Sequence, residues 1–316
     1  MEEISHTHHY IPQFFLNNFG IKTSKGKYRI NVFNKNTLQK YTNIVENIAY
    51  IKDFHTAEFK NIKSDYFEKL HNEKYEKNIH IIYKNLIYKL NKYYNEVLYC
   101  YNCLKEPYYM KLYMLEDNEN CFLSFLLAYF ILRGKRIRNV QNKTISSCIE
   151  IMQMMGKAHS LSENEIKKQI EKQLGNPKEI KNFQIAHPFM EDSINELASC
   201  LFLHKWNIVF NSTNTLFYTN DNAHSVTTLL KTHPIYKGIG YGTYGNLVIF
   251  PLTPRICILM YDTPYVQEEK INIIDKNIVS LSENQIKKLN EELAYDGIDE
   301  IYSYDGNWNC LRFLNN

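Results

Sequence analysis

The chain has 316 residues, of which 44% are hydrophobic and 22% are charged. This mixture is typical of a folded globular protein and excludes the collagen-like, coiled-coil and disordered classes. The formal net charge of +3 is too small for a dedicated nucleic-acid binder, so any phosphate-binding surface must be local.

Three features of the sequence bear on the cellular compartment. The longest apolar run, residues 122–132, is shorter than the ~20 residues needed to span a bilayer. The first ten residues lack the basic and then apolar layout of a secretory signal. Seven scattered cysteines cannot all pair within the chain, which favours a reducing environment. The sequence therefore predicts a cytoplasmic protein without a membrane partner.

The first hundred residues are predicted to form a short helix, a strand and a long helix. Pro12 suits a loop that leads into a short helix, and the alternation of apolar and polar residues over 28–35 predicts a strand. From residue 65 to about 99, apolar residues recur every three or four positions, which predicts an amphipathic helix, continuous or broken once. Glu68 and Glu73 on this helix are expected to be solvated.

The middle of the chain is predicted to be helical. Residues 121–133 are apolar on every side and should form a buried central helix. Further helices are predicted at 144–155, 163–174 and 190–203.

The chain after Trp206 is predicted to be rich in strands. Short runs of β-branched and aromatic residues alternate there with Asn, Gly and Pro. The sequence therefore predicts an α+β fold in a single domain, residues 1–316. In it, a largely helical middle lobe (about 60–205) packs on a small antiparallel or mixed sheet (about 206–316), which the N-terminal strand joins.

Adjacent histidines at the N-terminus form the first candidate for chemistry. Neutral imidazole binds transition metals and accepts protons near physiological pH, so His8 and His9 are candidate bases or metal ligands. The opening His-His-Tyr-Ile-Pro pattern, a histidine pair followed by Ile-Pro, is similar to the start of several histidine-metal nucleases, although Asn17, Asn18 and His55 do not complete that signature. The structural alternatives are that both rings form hydrogen bonds with the backbone at the start of the helix, or that they belong to a disordered tail.

Three of the six arginines form the second candidate. Arg133, Arg136 and Arg138 follow the apolar helix, and guanidinium groups suit phosphate or carboxylate ligands. Arg133 is nearest to the buried run and should point inward. The alternative is that these cations offset the dipole at the helix C-terminus without any ligand.

The third candidate is the segment YTNDNAH, residues 218–224, at the end of a predicted strand. Asp221 could bind a divalent cation or orient a histidine, and His224 lies nearby. The alternative is a turn, because Asn and Asp side chains readily form hydrogen bonds with their own backbone.

Five segments together resemble a bacterial family known as domain of unknown function 4238. They span most of the chain in the family's order: HHYIPQFFLNNF (8–19), RINVFNK (29–35), FLSFLLAYFILRGKRIR (122–138), WNIVFNSTNTLFYTNDNAH (206–224) and IFPLTPRICILMY (249–261). Where the family typically has Ser-Asp-x-Pro, this chain keeps only Asp221. The resemblance implies that His8, His9, Arg133 and Asp221 occupy polar motif positions, and that the protein is a stand-alone factor of a defence or toxin type.

These candidates predict a nuclease or phosphodiesterase site in a cleft between the two lobes. The catalytic residues would be His8, His9, Arg133 and Asp221, with His9 and Asp221 binding a divalent metal of unspecified identity. The substrate, a nucleic acid, would contact Arg136, Arg138 and His224. The alternative is a non-catalytic ligand-binding or sensor protein, in which the same residues hold an anion or pin the lobes together.

Overall fold

The computed structural model describes residues 7–57, 66–104, 115–187, 190–230 and 240–314. The fold is α+β, as the sequence predicts. The helices of the described chain are α1 (Gln13–Leu16), α2 (Tyr66–Leu70), α3 (Lys77–Leu104), α4 (Asp117–Arg133), α5 (Lys135–Ala158), α6 (Glu163–Leu174), α7 (Pro177–Ala186), α8 (Glu191–Phe202), α9 (Thr263–Glu268) and α10 (Glu283–Asp296).

The strands fall into an N-terminal and a C-terminal group. The N-terminal group comprises β1 (Thr7–His9), β2 (Ile21–Lys22), β3 (Tyr28–Asn34), β4 (Lys40–Ile44) and β5 (Tyr50–Lys52). The C-terminal group comprises β6 (Lys205–Phe210), β7 (Thr219–Asn220), β8 (Ser225–Thr228), β9 (Asn246–Thr253), β10 (Ile256–Tyr261), β11 (Asn277–Val279) and β12 (Glu300–Ser303).

These strands form two five-stranded sheets and a two-stranded ribbon. The first sheet has the order β2-β3-β12-β7, with β4 also paired to β3, and the second has the order β11-β6-β10-β9-β8. The predicted union of the N-terminal strand with the C-terminal strands is confirmed, since β3 pairs antiparallel with β12. The sequence predicts one sheet, whereas the chain forms two, because the turn at residues 221–224 carries it from β7 in the first sheet to β8 in the second.

The predicted buried helix is α4, which packs against α8. Its residues from Leu126 to Arg133 are all buried. The ring of Phe130 lies 5.1 Å from that of Phe15, which in turn stacks on Phe250 of the second sheet at 5.8 Å. The main hydrophobic core thus joins the N-terminal motif, the central helix and the second sheet. Within the described ranges, no helix is both long and apolar enough to cross a membrane.

Candidate functional site

The two adjacent histidines point in opposite directions, because successive side chains of a strand face opposite sides. His8 is fully buried, stacks on His55 with ring centroids 5.6 Å apart, and accepts a hydrogen bond of 2.8 Å at Nδ1 from the His55 backbone. This is the structural arrangement that the sequence left open as an alternative. His9 lies on the other side and is only partly buried.

His9 lines a polar groove and is held by its neighbours. Its Nε2 atom lies 3.2 Å from the carbonyl oxygen of Glu46, and the amide nitrogen of Gln13 lies 3.4 Å from its Nδ1 atom. Burial lowers the pKa of His9, the hydrogen bond to Glu46 opposes this effect, and the positive charge of Arg133 reinforces it. The ring is therefore neutral at neutral pH, and a neutral ring that donates from Nε2 to Glu46 keeps its lone pair on Nδ1.

The groove is built from two rows of polar residues, each with a spacing of four. It has a volume of about 630 Å³ and also contains Thr7, Phe14 and Lys77. Phe14 stacks on a histidine of the second row, His80, with ring centroids 5.3 Å apart. In the long helical segment, a spacing of four residues places the side chains of the second row on one face. In the first row, Gln13 and Asn17 lie at the two ends of one helical turn, whereas His9 belongs to strand β1. The two rows are His9, Gln13 and Asn17 from the N-terminal motif, and Asn72, Glu76 and His80 from the long helical segment.

A π-helical turn, His71–Glu76, precedes α3 and carries part of the second row. It is the break that the sequence allowed in the helix predicted at 65–99. Single π-helical turns are rare and frequently occur at functional sites. Of the two acidic residues considered from sequence, Glu73 is exposed, and the side chain of Glu68 lies outside the part of the chain that the structure describes. The acidic residue that lines the groove is Glu76.

Arg133 connects this groove to the central helix. The side chain is fully buried and forms an ion pair with Glu76, which is 22% exposed. It also donates hydrogen bonds to the backbone oxygen of His9 and, at 2.6 Å, to the hydroxyl of Tyr129. Arg133 thus points inward as predicted, but its contacts are with the protein, and it fixes the positions of His9 and Glu76.

Asp221 lies in a buried cluster between α5 and the loop before β12. Its carboxylate accepts hydrogen bonds from the backbone N–H groups of Ile298 at 2.7 Å and Asp299 at 2.9 Å. It also forms an ion pair of 2.7 Å with Lys135, which pairs with Asp299 at the same distance. Burial lowers the pKa of Lys135, but the negative charge of Asp221, the interaction with Tyr10 and the hydrogen bonds to Asp221 and Asp299 together outweigh this effect, so the net shift is upward. Asp221 therefore joins three segments of the fold.

The residues around Asp221 form the turn that the sequence gave as an alternative. The backbone N–H of Asn222 donates to Oδ1 of Asn220 at 2.9 Å, and Ala223 adopts a positive φ of 65°. An Asn side chain that bonds the backbone two residues later is a common turn device.

The three residues predicted to contact the substrate lie away from both the groove and the Asp221 cluster, at two different places. Arg136 forms an ion pair of 2.6 Å with Asp296, and His224 lies near it, with both residues lining a second cavity. Arg138 lies over the ring of Phe54 at 4.5 Å and donates a hydrogen bond of 3.3 Å to the backbone oxygen of the same residue. Burial lowers the pKa of Arg138 to about 10.

The donor set around His9 and Asp221 does not fit a shared metal. Asp221 already binds an ammonium group and two backbone amides, and its side chain is fully buried. Across the described residues, no group of three or more His, Cys, Asp or Glu residues is placed to hold a metal ion. We therefore derive no step through a metal from these residues.

Acidification should destabilise the fold through His224, which is buried beside Arg136. Burial is the main reason that the pKa of His224 is lowered to about 4, and the charge of Arg136 acts in the same direction. Between about pH 6.5 and 4 the unfolded chain binds a proton that the folded chain excludes, so stability falls with pH by up to about 1.4 kcal/mol per unit. Below about pH 4 both states are protonated and this loss levels off.

Urea unfolding of the wild type and of His224→Gln, from pH 7 to 4.5, measures this effect. The variant should show a shallower loss of stability on acidification. His159→Gln is the matched control, because His159 is exposed, and it should keep the wild-type slope. An unchanged slope in His224→Gln would contradict the assignment.

Comparison with known proteins gives a family and no activity. No curated protein and no solved structure matches the chain. One family model, described as "Protein of unknown function (DUF4238)", matches residues 7–307. The match includes the N-terminal motif, the central helix and the Asp221 turn, and it covers nearly all of the 316 residues. The chain therefore belongs to the DUF4238 family of proteins of unknown function.

Proposed function

We propose that the polar groove is the active site of a ribonuclease that works by histidine acid–base catalysis. The observation that carries this proposal is that His9 and His80, from two separate segments, line the same groove beside Lys77. Cleavage of a phosphodiester needs a group that removes a proton and another that supplies one. Two imidazoles in one groove meet this need.

His9 is the better candidate for the general base. Its lowered pKa keeps the ring neutral at neutral pH. Nε2 stays bonded to Glu46, while Nδ1 can exchange its long contact with the Gln13 amide, 3.4 Å, for the 2′-hydroxyl of the substrate. In the proposed step, His9 takes the proton of the ribose 2′-hydroxyl while the 2′-oxygen attacks phosphorus. The bond from phosphorus to the 5′-oxygen breaks, and His80 gives its proton to that leaving oxygen. The products are a 2′,3′-cyclic phosphate and a 5′-hydroxyl end.

The charges of the groove suit a phosphate. Glu76 is neutralised by Arg133, so the side chain of Lys77 leaves the groove with a net positive charge. A cation aimed at the phosphoryl group stabilises the charge that develops in the transition state. Arg133 is buried and acts as a positioning residue, because it binds the backbone oxygen of His9.

RNA is favoured over DNA as the substrate for a chemical reason. In RNA the nucleophile is already attached to the phosphodiester, so the reaction needs only a base, an acid and a positive charge. Hydrolysis of DNA requires an activated water molecule, which enzymes commonly generate with a metal. The groove contains candidates for the base, the acid and the positive charge that RNA cleavage needs, namely His9, His80 and Lys77.

Cleavage of end-labelled single-stranded RNA in EDTA tests this function. The wild type should cleave RNA and leave DNA and 2′-O-methyl RNA of the same sequence intact. His9→Ala and His80→Ala should each lower kcat by about 10²–10⁴-fold, the usual contribution of a general acid or base. His159→Ala, at an exposed histidine, should keep the wild-type rate. Melting temperatures of all variants separate lost catalysis from lost folding.

Several results would overturn this assignment. Binding of RNA by the wild type without cleavage would support the non-catalytic alternative. Cleavage that appears only after addition of Mg²⁺, Mn²⁺ or Zn²⁺ would support a metal-dependent nuclease instead. A wild-type rate in both histidine variants would place the reaction outside this groove.

We further propose that the reaction takes place in the cytoplasm, as part of a toxin or defence function. Five of the cysteines, Cys121, Cys148, Cys200, Cys257 and Cys310, are free thiols, which agrees with a reducing compartment. Expression of the wild type in a bacterial host should then slow growth, whereas His9→Ala should not.

A further inference from the structure

Helix α5 carries an uncharged stripe along its exposed side. Successive residues of a helix are about 100° apart, so residues three or four positions apart share one side. Four residues on this side are large apolar side chains, each more than half exposed: Val140, Ile151, Met154 and Met155. The other residues of the stripe are Ile137, Thr144, Ser147, Cys148 and Ala158. A continuous apolar surface of this kind marks an interaction site, unlike single exposed side chains.

The opposite side of α5 is the one that packs against the rest of the fold. Lys135 is buried and forms its ion pair with Asp221, and Asn142 accepts a hydrogen bond of 2.7 Å from Gln184 of α7. Near the end of the helix, Gly156 is buried against α6. The stripe faces away from these contacts, and most of it is open to solvent among the described residues.

The charges beside the stripe are complementary to those of a second copy. Lys143 and Glu150 are both exposed and lie along the same edge of the stripe. Lys143 lies eight residues after the first residue of α5, Lys135, and Glu150 lies eight residues before the last, Ala158. An antiparallel pairing of two α5 helices about their midpoint therefore places Lys143 of each copy opposite Glu150 of the other. A parallel pairing would instead place like charges together.

The ends of the stripe are complementary in shape. Met154 lies four residues before the end of α5, so the same pairing places it opposite residue 139 of the second copy, four residues after the start. The neighbours of that position on the stripe, Ile137 and Val140, line the second cavity, which has a volume of about 480 Å³ and mainly apolar walls. Methionine is flexible and fills irregular apolar gaps. Each copy thus supplies a cavity at one end of the stripe and a side chain to fill it at the other.

We infer that a second copy of this chain covers the stripe, with the two α5 helices packed antiparallel about a two-fold axis. In such an interface every contact occurs twice. Ser147 and Thr144 are small and lie near the axis, where they let the helices approach closely. One helix face is a small interface, so the Kd should be about 1–100 μM. None of the residues that line the polar groove belongs to α5, so the pairing is independent of the reaction proposed there.

Oxidative cross-linking tests the alignment of the two helices. Ser147 lies next to the midpoint of α5 and on the stripe, so its Cα atoms in the two copies should be about 6 Å apart, within the range of a disulfide. Ser147→Cys should therefore form a covalent dimer on mild oxidation. Ser146→Cys is the matched control, because Ser146 is also exposed but lies off the stripe, and it should not. Both are made in a Cys148→Ser chain, which itself shows how much the other thiols cross-link. Equal cross-linking of both variants would overturn the pairing.

Sedimentation equilibrium measures the affinity of the pairing. Ile151→Glu, which adds a charge to the middle of the stripe, should weaken dimerisation at least about tenfold. Gln153→Glu adds the same charge at an exposed position off the stripe and should keep the wild-type Kd. Lys143→Glu should weaken the dimer at least about threefold, and the double variant Lys143→Glu/Glu150→Lys should restore the wild-type Kd, because the exchange preserves both opposite-charge pairs.

Three results would overturn the inference. The first is a wild type that remains monomeric up to about 200 μM. The second is a dimer that Ile151→Glu leaves unchanged, which would place the interface on another surface. The third is a double variant no tighter than Lys143→Glu, which would exclude the antiparallel alignment. Urea unfolding at a chain concentration about tenfold below the Kd should be the same for all variants, because the stripe is exposed in the monomer.

Discussion

Asp221→Ala should lower the free energy of unfolding by about 3–5 kcal/mol, the usual cost of removing one partner from a buried ion pair. The substitution leaves the ammonium of Lys135 with one carboxylate fewer and removes the acceptor of two backbone N–H groups, those of Ile298 and Asp299. Because these contacts join α5 to the loop before β12, their loss affects the whole first sheet.

Urea denaturation followed by circular dichroism measures this change. Glu150→Ala, at an exposed site in α5, is the control and should stay within about 0.5 kcal/mol of the wild type. Asp221→Asn keeps a carbonyl oxygen that can accept from one of the two backbone N–H groups. Its free energy of unfolding should therefore fall less than that of the alanine variant. Wild-type stability in Asp221→Ala would show that the carboxylate has no structural role, and would return Asp221 to the catalytic residues that the sequence suggests.

Leu126→Ala should destabilise the fold by about 2–5 kcal/mol, since it removes apolar contacts and leaves a cavity in the core. Leu126 is fully buried in α4, which the main hydrophobic cluster surrounds. Met154→Ala in the neighbouring helix α5 is the control, because Met154 is 71% exposed, and it should change stability by less than about 0.5 kcal/mol. Equal denaturation midpoints for the wild type and Leu126→Ala would contradict the packing of this helix.

The elements with strong local patterns are the ones that the sequence predicts best. The helix predicted at 163–174 has those bounds in the structure, and the apolar run at 121–133 lies within α4. Both depend on neighbours within one or two turns, so their signal lies in a short window. The division of the strands into two sheets depends on the turn at Asp221 and on pairing between distant strands, which a local pattern does not encode.

The sequence predicts the candidate site only in part, for a related reason. The sequence singles out His9 and Arg133 because they belong to unusual local motifs. The structure places His9 in the lining of the groove and Arg133 behind it, bonded to the His9 backbone. The sequence does not single out Glu76 and His80, since polar residues spaced by four are ordinary on the solvent face of a helix. Gln13 and Asn17 do carry a signal, because they are polar residues that interrupt an otherwise apolar segment next to His9.

The pairing of β3 with β12 also determines when the protein can fold. Val32 lies opposite Tyr302, so the first sheet cannot be completed until the ribosome has released almost all of the described chain. Contacts between residues so distant in sequence slow folding. Until β12 has been synthesised, the edge of β3 that pairs with it is exposed, and an unpaired strand edge is prone to aggregation. The second sheet, by contrast, uses only residues 205–279. We therefore expect the N-terminal strands to need protection by chaperones during synthesis.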